Sequence, residues 1–236
     1  MLRSLTASLY ATLGNWYLAP VLLRDWRRSG TLGINERAME YEFALRWLWR
    51  TCPAAVLDVG SGKSSWPHLM AACGFQVTAS DQKRARWGGE FFNRHYHVVS
   101  DDITQSRLAG SYDLVTCISV LEHIPDYRSA VNGMLSLLSP GGHLVMSFPY
   151  NESTYVRNAY ELPEAGYGKE RSYVCQVFSR NELREVTENG HGRIVDQEYY
   201  EVFSGELWTC GHRLRPPRRV GETDRHHLTC VAMQKA

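Results

Sequence analysis

Cysteine is scarce in this sequence: six in 236 residues, with no Cys-x-x-Cys pair among them. That density excludes a disulfide-built scaffold. Scattered single cysteines point instead to a reducing, cytoplasmic compartment. An excess of one charge is missing as well. Lys+Arg 26 against Asp+Glu 25 leaves +1, so no global field recruits nucleic acid or an anionic surface. Internal repeats, low-complexity tracts and linkers are absent. So is a run of about 20 strongly apolar residues that would span a bilayer. No compact apolar centre precedes a small-residue cleavage site, which argues against a secretion signal. What is present is a globular balance, 44% hydrophobic and 22% charged residues, which excludes a disordered or collagen-like chain. The length suits one sizeable domain with an appendage. Such a chain buries roughly 70% of its unfolded surface and needs no staples.

The appendage is read at the N-terminus. Leu2, Leu5, Leu9, Leu13, Trp16 and Tyr17 recur at three- and four-residue steps, with Ser4, Thr6, Ser8, Ala11 and Asn15 largely between them. This is the pattern of an amphipathic helix. Ser8, Thr12, Gly14 and Asn15 dilute its apolar character, Pro20 interrupts it, and Arg3, Arg24, Arg27 and Arg28 flank it. Residues 1–50 are therefore expected to form a helical lid, with contact to a membrane surface or a partner as the other reading. Residues 51–236 are expected to form the main domain.

Past the appendage, strands and helices alternate. A helix is expected over Glu36–Arg50 and ends at Cys52-Pro53, because the residue before proline is pushed out of the helical region. Short apolar strands are expected at Ala55–Val59, Phe75–Ser80, Tyr96–Ser100, Asp113–Ser119 and Leu144–Phe148. Helices are expected at Trp66–Cys73 and Asp126–Leu138, and weakly at Gln82–Phe92. Residues 149–178 form a long segment rich in tyrosine (Tyr150, Tyr155, Tyr160, Tyr167, Tyr173), the kind of loop that usually serves function. Ser179 and Glu182 have capping-box spacing and open a further helix. Ile194–Val202 and Leu228–Met233 read as two last strands, separated by a loop rich in Pro and Arg. The alternation predicts a doubly wound α/β fold, Rossmann-like, with seven strands in a mainly parallel sheet and helices on both faces. Ligands then bind beyond the carboxyl ends of the strands.

The first such loop, Asp58-Val59-Gly60-Ser61-Gly62-Lys63-Ser64, carries the strongest signal. Glycine lets the backbone turn sharply and approach a ligand. A phosphate-binding P-loop would need glycine where Leu57 stands, and a dinucleotide fingerprint would need it at Ser65. An acidic residue two positions before the first glycine fits a third pattern.

From about Pro53 to Pro149 the chain resembles the Rossmann-like (class I) S-adenosylmethionine-dependent methyltransferases. Five motifs carry the resemblance in order: the Asp58–Ser64 loop, with Ser64 for the third glycine; Asp81 closing strand two; Asp102 after strand three; Tyr112-Asp113-Leu114-Val115 through Leu121-Glu122-His123-Ile124; and Leu138-Ser139-Pro140-Gly141-Gly142-His143-Leu144. The resemblance implies S-adenosyl-L-methionine as cofactor, held by Asp58, Gly60, Ser61, Gly62, Asp81, Gln82, Asp102, Ile103, Ile118 and Ser119. Asp81 would accept the ribose hydroxyls, since a carboxylate only accepts hydrogen bonds. Asp102 would take the adenine amino group. His123 is the candidate catalytic base. Tyr41, Glu122, Tyr150 and Tyr155 are candidate acceptor-side or lid residues. Certain relatives, the ubiquinone-pathway and small-RNA methyltransferases, place Glu-x-x-Glu-His here and hold a divalent metal. Ser119 occupies the first Glu position, so no metal is assigned.

Two further clusters invite other readings. Cys210, His212, His226, His227 and Cys230 have spacings that could be stretched into a zinc site. Arg213, Arg215, Arg218 and Arg219 could meet an anionic substrate or simply be solvated. Nucleic-acid binding lacks a basic stripe with interleaved aromatics. The expected function is methylation, at oxygen, of a small-molecule or glycan-type metabolite. An RNA or protein methyltransferase, or a cofactor-binding scaffold without turnover, are the alternatives.

Overall fold

The computed structural model describes residues 12–14, 16–17, 19–20, 23, 34–62, 64–82, 96–189 and 192–236. The chain divides into two compact units, Met1–Asn35 and Glu36–Ala236. The boundary expected after residue 50 thus falls earlier, and the helix expected over Glu36–Arg50 belongs to the larger unit. In the smaller unit every described position from Thr12 to Leu23 is helical, Pro20 included. Proline fixes a backbone angle that is itself helical, so Pro20 does not stop the helix at its own position. Leu13, Trp16, Tyr17 and Leu23 are exposed. No helix among the described residues is long and apolar enough to cross a membrane.

The larger unit is built on eight strands: β1 (Val56–Val59), β2 (Val77–Asp81), β3 (His97–Ser100), β4 (Tyr112–Ile118), β5 (Leu138–Pro149), β6 (Gly192–Phe203), β7 (Arg213–Val220) and β8 (Leu228–Lys235). They form one sheet in the order β3-β2-β1-β4-β5-β8-β6-β7. The first five are parallel, with Val56 opposite both Val77 and Leu114, and β8, β6 and β7 continue the sheet antiparallel. Strand order therefore reverses between β1 and β4, the place where such sheets open a ligand crevice. The eighth strand, β7, occupies the segment expected to be a Pro- and Arg-rich loop. It lies at the sheet edge and pairs with β6 alone, and its prolines fall where the register with β6 shifts, between the Arg218 and Arg213 pairs, so no regular ladder bond is asked of them.

Alternation along the strands divides the core in two. Leu57, Val115, Cys117, Leu144 and Met146 face helices α3 (Tyr127–Ser136) and α4 (Arg180–Asn189), which contribute Tyr127, Val131, Met134 and Leu183. Val56, Leu114, Ile118 and Val145 face α1 (Arg37–Thr51) and α2 (Trp66–Ala72), which contribute Phe43, Leu48, Trp66 and Met70. Helix α1 stops where expected: Cys52 turns left-handed at φ 43° and its N–H closes on Leu48 O. The capping box at α4 also forms, with Glu182 accepting from the Ser179 N–H at 3.1 Å. The weak helix expected over Gln82–Phe92 lies outside the described residues, apart from Gln82 itself.

Candidate functional site

Strand β1 leaves the sheet through Gly60, and its conformation explains the residue. Gly60 has φ +73°, and a Cβ there would lie 2.3 Å from a Val120 methyl. The Gly60 and Ser61 N–H groups donate to Ser80 O at 2.8 and 3.2 Å, which binds the turn to β2. Gly62, at φ +50°, donates its N–H to Asp81 Oδ2 at 3.1 Å. The candidate glycine turn and the candidate acid are thus in contact. Ser64 is used: it accepts from the Trp66 N–H at 3.1 Å, and its hydroxyl lies 2.9 Å from that of Tyr41. The Tyr41 ring stacks on Trp66 at 4.9 Å. Helix α1 is therefore latched to the turn.

Asp58 lies beneath this turn, buried, and accepts from Thr116 Oγ1 at 2.7 Å. Thr116 in turn accepts from the Trp66 indole at 3.2 Å. Burial pushes the Asp58 carboxyl up to about 7, against the Thr116 bond and the charge of Arg37. After β3, Asp101 spends its carboxylate on Ser106 and the Arg107 N–H at 2.7 and 2.9 Å. Asp102 caps the turn Ile103–Gln105 by accepting from Thr104 N and Oγ1 at 3.0 and 2.7 Å. The Thr104 hydroxyl holds the Asp102 carboxyl below its usual range, and Gln82 also bonds it. Ile103 is buried against α3, where a Cβ on Gly133 would lie 2.1 Å from Ile103 O.

At the end of β4 the chain turns through Ser119, left-handed at φ 50°. Its hydroxyl donates to Glu40 Oε1 at 2.5 Å, which also accepts from Ser147 at 2.7 Å. Arg37 bonds Glu40 Oε2 at 3.0 Å and the carbonyl of Ile118 at 3.3 Å. The hydroxyl standing at the first Glu position is therefore engaged by a buried glutamate of α1. Among the described residues no three His, Cys, Asp or Glu groups are placed to hold a metal.

Glu122 and His123 follow in a single turn, Leu121–His123. The Glu122 carboxyl is buried and Oε2 has no hydrogen-bond partner. Burial pushes it up to about 8; Arg37 opposes this, while Glu40 and Glu36 add to it. His123 is partly exposed, with Nδ1 2.7 Å from Val174 O. A carbonyl only accepts, so Nδ1 carries the hydrogen and Nε2 bears the lone pair in the neutral ring. Nε2 lies 3.7 Å from Glu122 Oε1. The Tyr173 ring meets the imidazole edge-on at 4.7 Å.

The tyrosine-rich segment divides between cleft and core. Tyr150 is fully buried against Phe148, Tyr199 and His226, in the sheet's core rather than at an acceptor surface. Tyr155 is half-exposed and donates its hydroxyl to Gln176 Oε1 at 2.6 Å. Gln176, Thr116, Glu40 and Arg37 were not marked by any motif. Each has a partner more than 50 residues away along the chain, so it becomes meaningful only once the elements are packed.

In the other two clusters, three of the four arginines and the zinc candidates His226, His227, Cys210 and Cys230 have partners or packing inside the fold. Arg213 pairs with Glu36, Arg218 with Glu201, and Arg219 with Glu198 at 2.8 Å. His227 accepts from the Val202 N–H at 3.2 Å and contacts Gly205 O at 2.8 Å, while His226 Nδ1 lies 2.8 Å from Asp224 O. Cys230 is a core residue of β8 and Cys210 is buried beside Trp208. These histidines and cysteines do not converge as a zinc site would require.

A family model described as a methyltransferase domain matches residues 34–190. A ubiquinone biosynthesis O-methyltransferase of Ralstonia nicotianae is 32% identical over 146 residues, covering 58% of each chain. One of Albidiferax ferrireducens is 36% identical over 114 residues, 44% of this chain and 45% of that one. The chain thus spans about half the length of these curated relatives. Among solved structures, the magnesium protoporphyrin IX methyltransferase of Synechocystis PCC 6803 with bound S-adenosylhomocysteine superposes with a TM-score of 0.56 at 16% identity, over 96% of this chain and 100% of that one. At that identity the likeness speaks for the fold.

Proposed function

The chain belongs to the methyltransferase-domain family, and on that premise we propose that it moves a methyl group from S-adenosylmethionine to a hydroxyl of a small molecule, with His123 as base. The observation that carries this reading is His123 at the carboxyl end of β4 with Nδ1 held on Val174 O, which leaves Nε2 as the basic atom. The O-methyltransferase names of the relatives support oxygen as the acceptor atom and a metabolite as the substrate.

The residues fit the cofactor. A turn that tolerates no side chain at Gly60 sits beside carboxylates on the ends of two neighbouring strands, acceptors for a diol and for an amine. Asp81 would hold the ribose, Asp102 with Gln82 and Ile103 the adenine, Gly60–Gly62 the amino-acid tail, and Ile118–Ser119 the wall opposite. When bound, S-adenosylmethionine supplies a methyl group activated by a positively charged sulfur. The protein then aligns the hydroxyl, excludes water and removes one proton. His123 Nε2 takes that proton while Nδ1–H stays on Val174 O. All six cysteines are free thiols, which supports a cytoplasmic setting.

Asp81→Ala is expected to weaken S-adenosylhomocysteine binding by about 1–3 kcal/mol, because two ribose hydroxyls and the Gly62 N–H lose their acceptor. Calorimetric titration reads this directly. Unchanged affinity in a folded variant removes the ribose assignment.

The smaller unit supports a second role. Leu13, Trp16, Tyr17 and Leu23 are exposed at helical spacing, and Arg24, Arg27 and Arg28 follow them in sequence. We propose peripheral contact with an anionic membrane surface. The full chain should co-sediment with vesicles containing phosphatidylserine, and a chain lacking residues 1–28 should not, with turnover of a soluble acceptor retained. Lost turnover without any vesicle binding would instead make the segment a lid.

A further inference from the structure

We infer that Gln176 is the positioning residue for the His123 loop, with Tyr155 holding the far end of its amide. This rests on His123 acting as the base. Gln176 is buried, 2% exposed, and lies more than 50 residues along the chain from the loop it contacts. Its backbone N–H donates to Glu122 O at 2.9 Å and its side-chain Nε2 to Ile124 O at 2.8 Å. The carbonyls on either side of His123 are thereby pinned by one residue. The amide has only one useful orientation. Ile124 O only accepts, so Nε2 must face it, and Oε1 on the far end then accepts from the Tyr155 hydroxyl at 2.6 Å. Two residues earlier, Val174 O meets His123 Nδ1 at 2.7 Å. The same short arm therefore fixes both the backbone under the imidazole and its tautomer.

The arm is anchored away from the cleft. Val156 and Val177 exchange backbone bonds at 2.9 and 2.8 Å, and Phe178 N–H donates to Pro149 O at 2.9 Å. Cys175 N–H donates to Asn158 Oδ1 at 3.1 Å. The tyrosine-rich segment is thus tied together where its two ends meet at Pro149 and Phe178, and its C-terminal arm, residues 174–176, holds the loop. A buried side-chain amide with both ends occupied has little freedom to shift. Misplacement of a reacting group by about 1 Å costs on the order of 10²-fold in rate.

The test uses the full chain with S-adenosylhomocysteine bound and follows the His123 ring by NMR, in wild type, Gln176→Met and Tyr155→Phe. Methionine keeps the volume and removes the amide; phenylalanine removes only the hydroxyl at a half-exposed position, so that variant retains the fold. Wild type should give one sharp ring resonance. Gln176→Met should broaden or split it, and kcat on the best acceptor from a panel of phenols and sugars should fall about 10²-fold with KM little changed. Tyr155→Phe should do the same more weakly, and should add nothing in the Gln176→Met background. Unchanged ring spectra and kcat in both folded variants overturn the inference. If His123→Ala itself keeps full kcat, the base assignment fails instead, so the two failures are separable.

Discussion

Replacing His123 by alanine is expected to lower kcat by about 10²–10⁴-fold, the usual contribution of a positioned base. S-adenosylhomocysteine affinity should be nearly unchanged, because the imidazole bonds Val174 and faces Glu122, not the turn at Gly60–Gly62 or Asp81. Wild-type kcat should fall on acidification as Nε2 gains a proton from solvent, and the alanine variant should lose that limb of the profile. A structural role for His123 gives the opposite pattern: lower stability with normal turnover per folded molecule. Turnover normalised to active-site titration therefore decides between them, and a folded alanine variant with wild-type kcat ends the base assignment.

The second large effect is on stability. Burial raises the Glu122 carboxyl from 4.5 to about 8. Between those values the folded protein keeps a proton that the unfolded chain has released. The stabilisation tied to that proton is complete below about pH 4.5, declines as pH rises, and is gone above about pH 8. Glutamine has no proton to lose. Glu122→Gln should therefore gain stability relative to wild type as pH climbs from 5 to 9, by on the order of 3–5 kcal/mol, and level off beyond. Asp58 is raised for the same reason, but it is common to both proteins and cancels in the difference. Urea denaturation of the pair at pH 5 and pH 9 provides the measurement. A difference that stays constant with pH would show that Glu122 is ionised throughout.

Much of this was legible in the chain because each signal was local. The turn at Asp58–Gly62, the acids closing β2 and following β3, the end of α1 at Cys52 and the Ser179–Glu182 cap all depend on neighbours within a few residues. What escaped depends on distant pairing. Strand β7 read as a loop because Pro216 and Pro217 break a ladder from within, but it is an edge strand whose register with β6 shifts at those residues. The arginines looked like an anion site because their partners, Glu36, Glu198 and Glu201, lie on other elements. Tyr150 looked like an acceptor residue because it follows β5, yet α4 and β6 close over it. Gln176 carried no signal, since its function is to touch residues 122 and 124.

The place of β8 has a consequence for how the polypeptide is made. It is the last strand in sequence, yet it sits inside the sheet, between β5 and β6. During synthesis the β6–β7 hairpin emerges before the strand that joins it to β5. Until Leu228–Lys235 arrives, two open edges wait on the ribosome side by side, one on β5 and one on β6. Such edges are templates for pairing with other chains. Loss of residues 228–235, by a premature stop or by proteolysis, should therefore yield insoluble aggregate rather than a shortened soluble enzyme. Supplying that octapeptide in trans is the natural attempt at rescue.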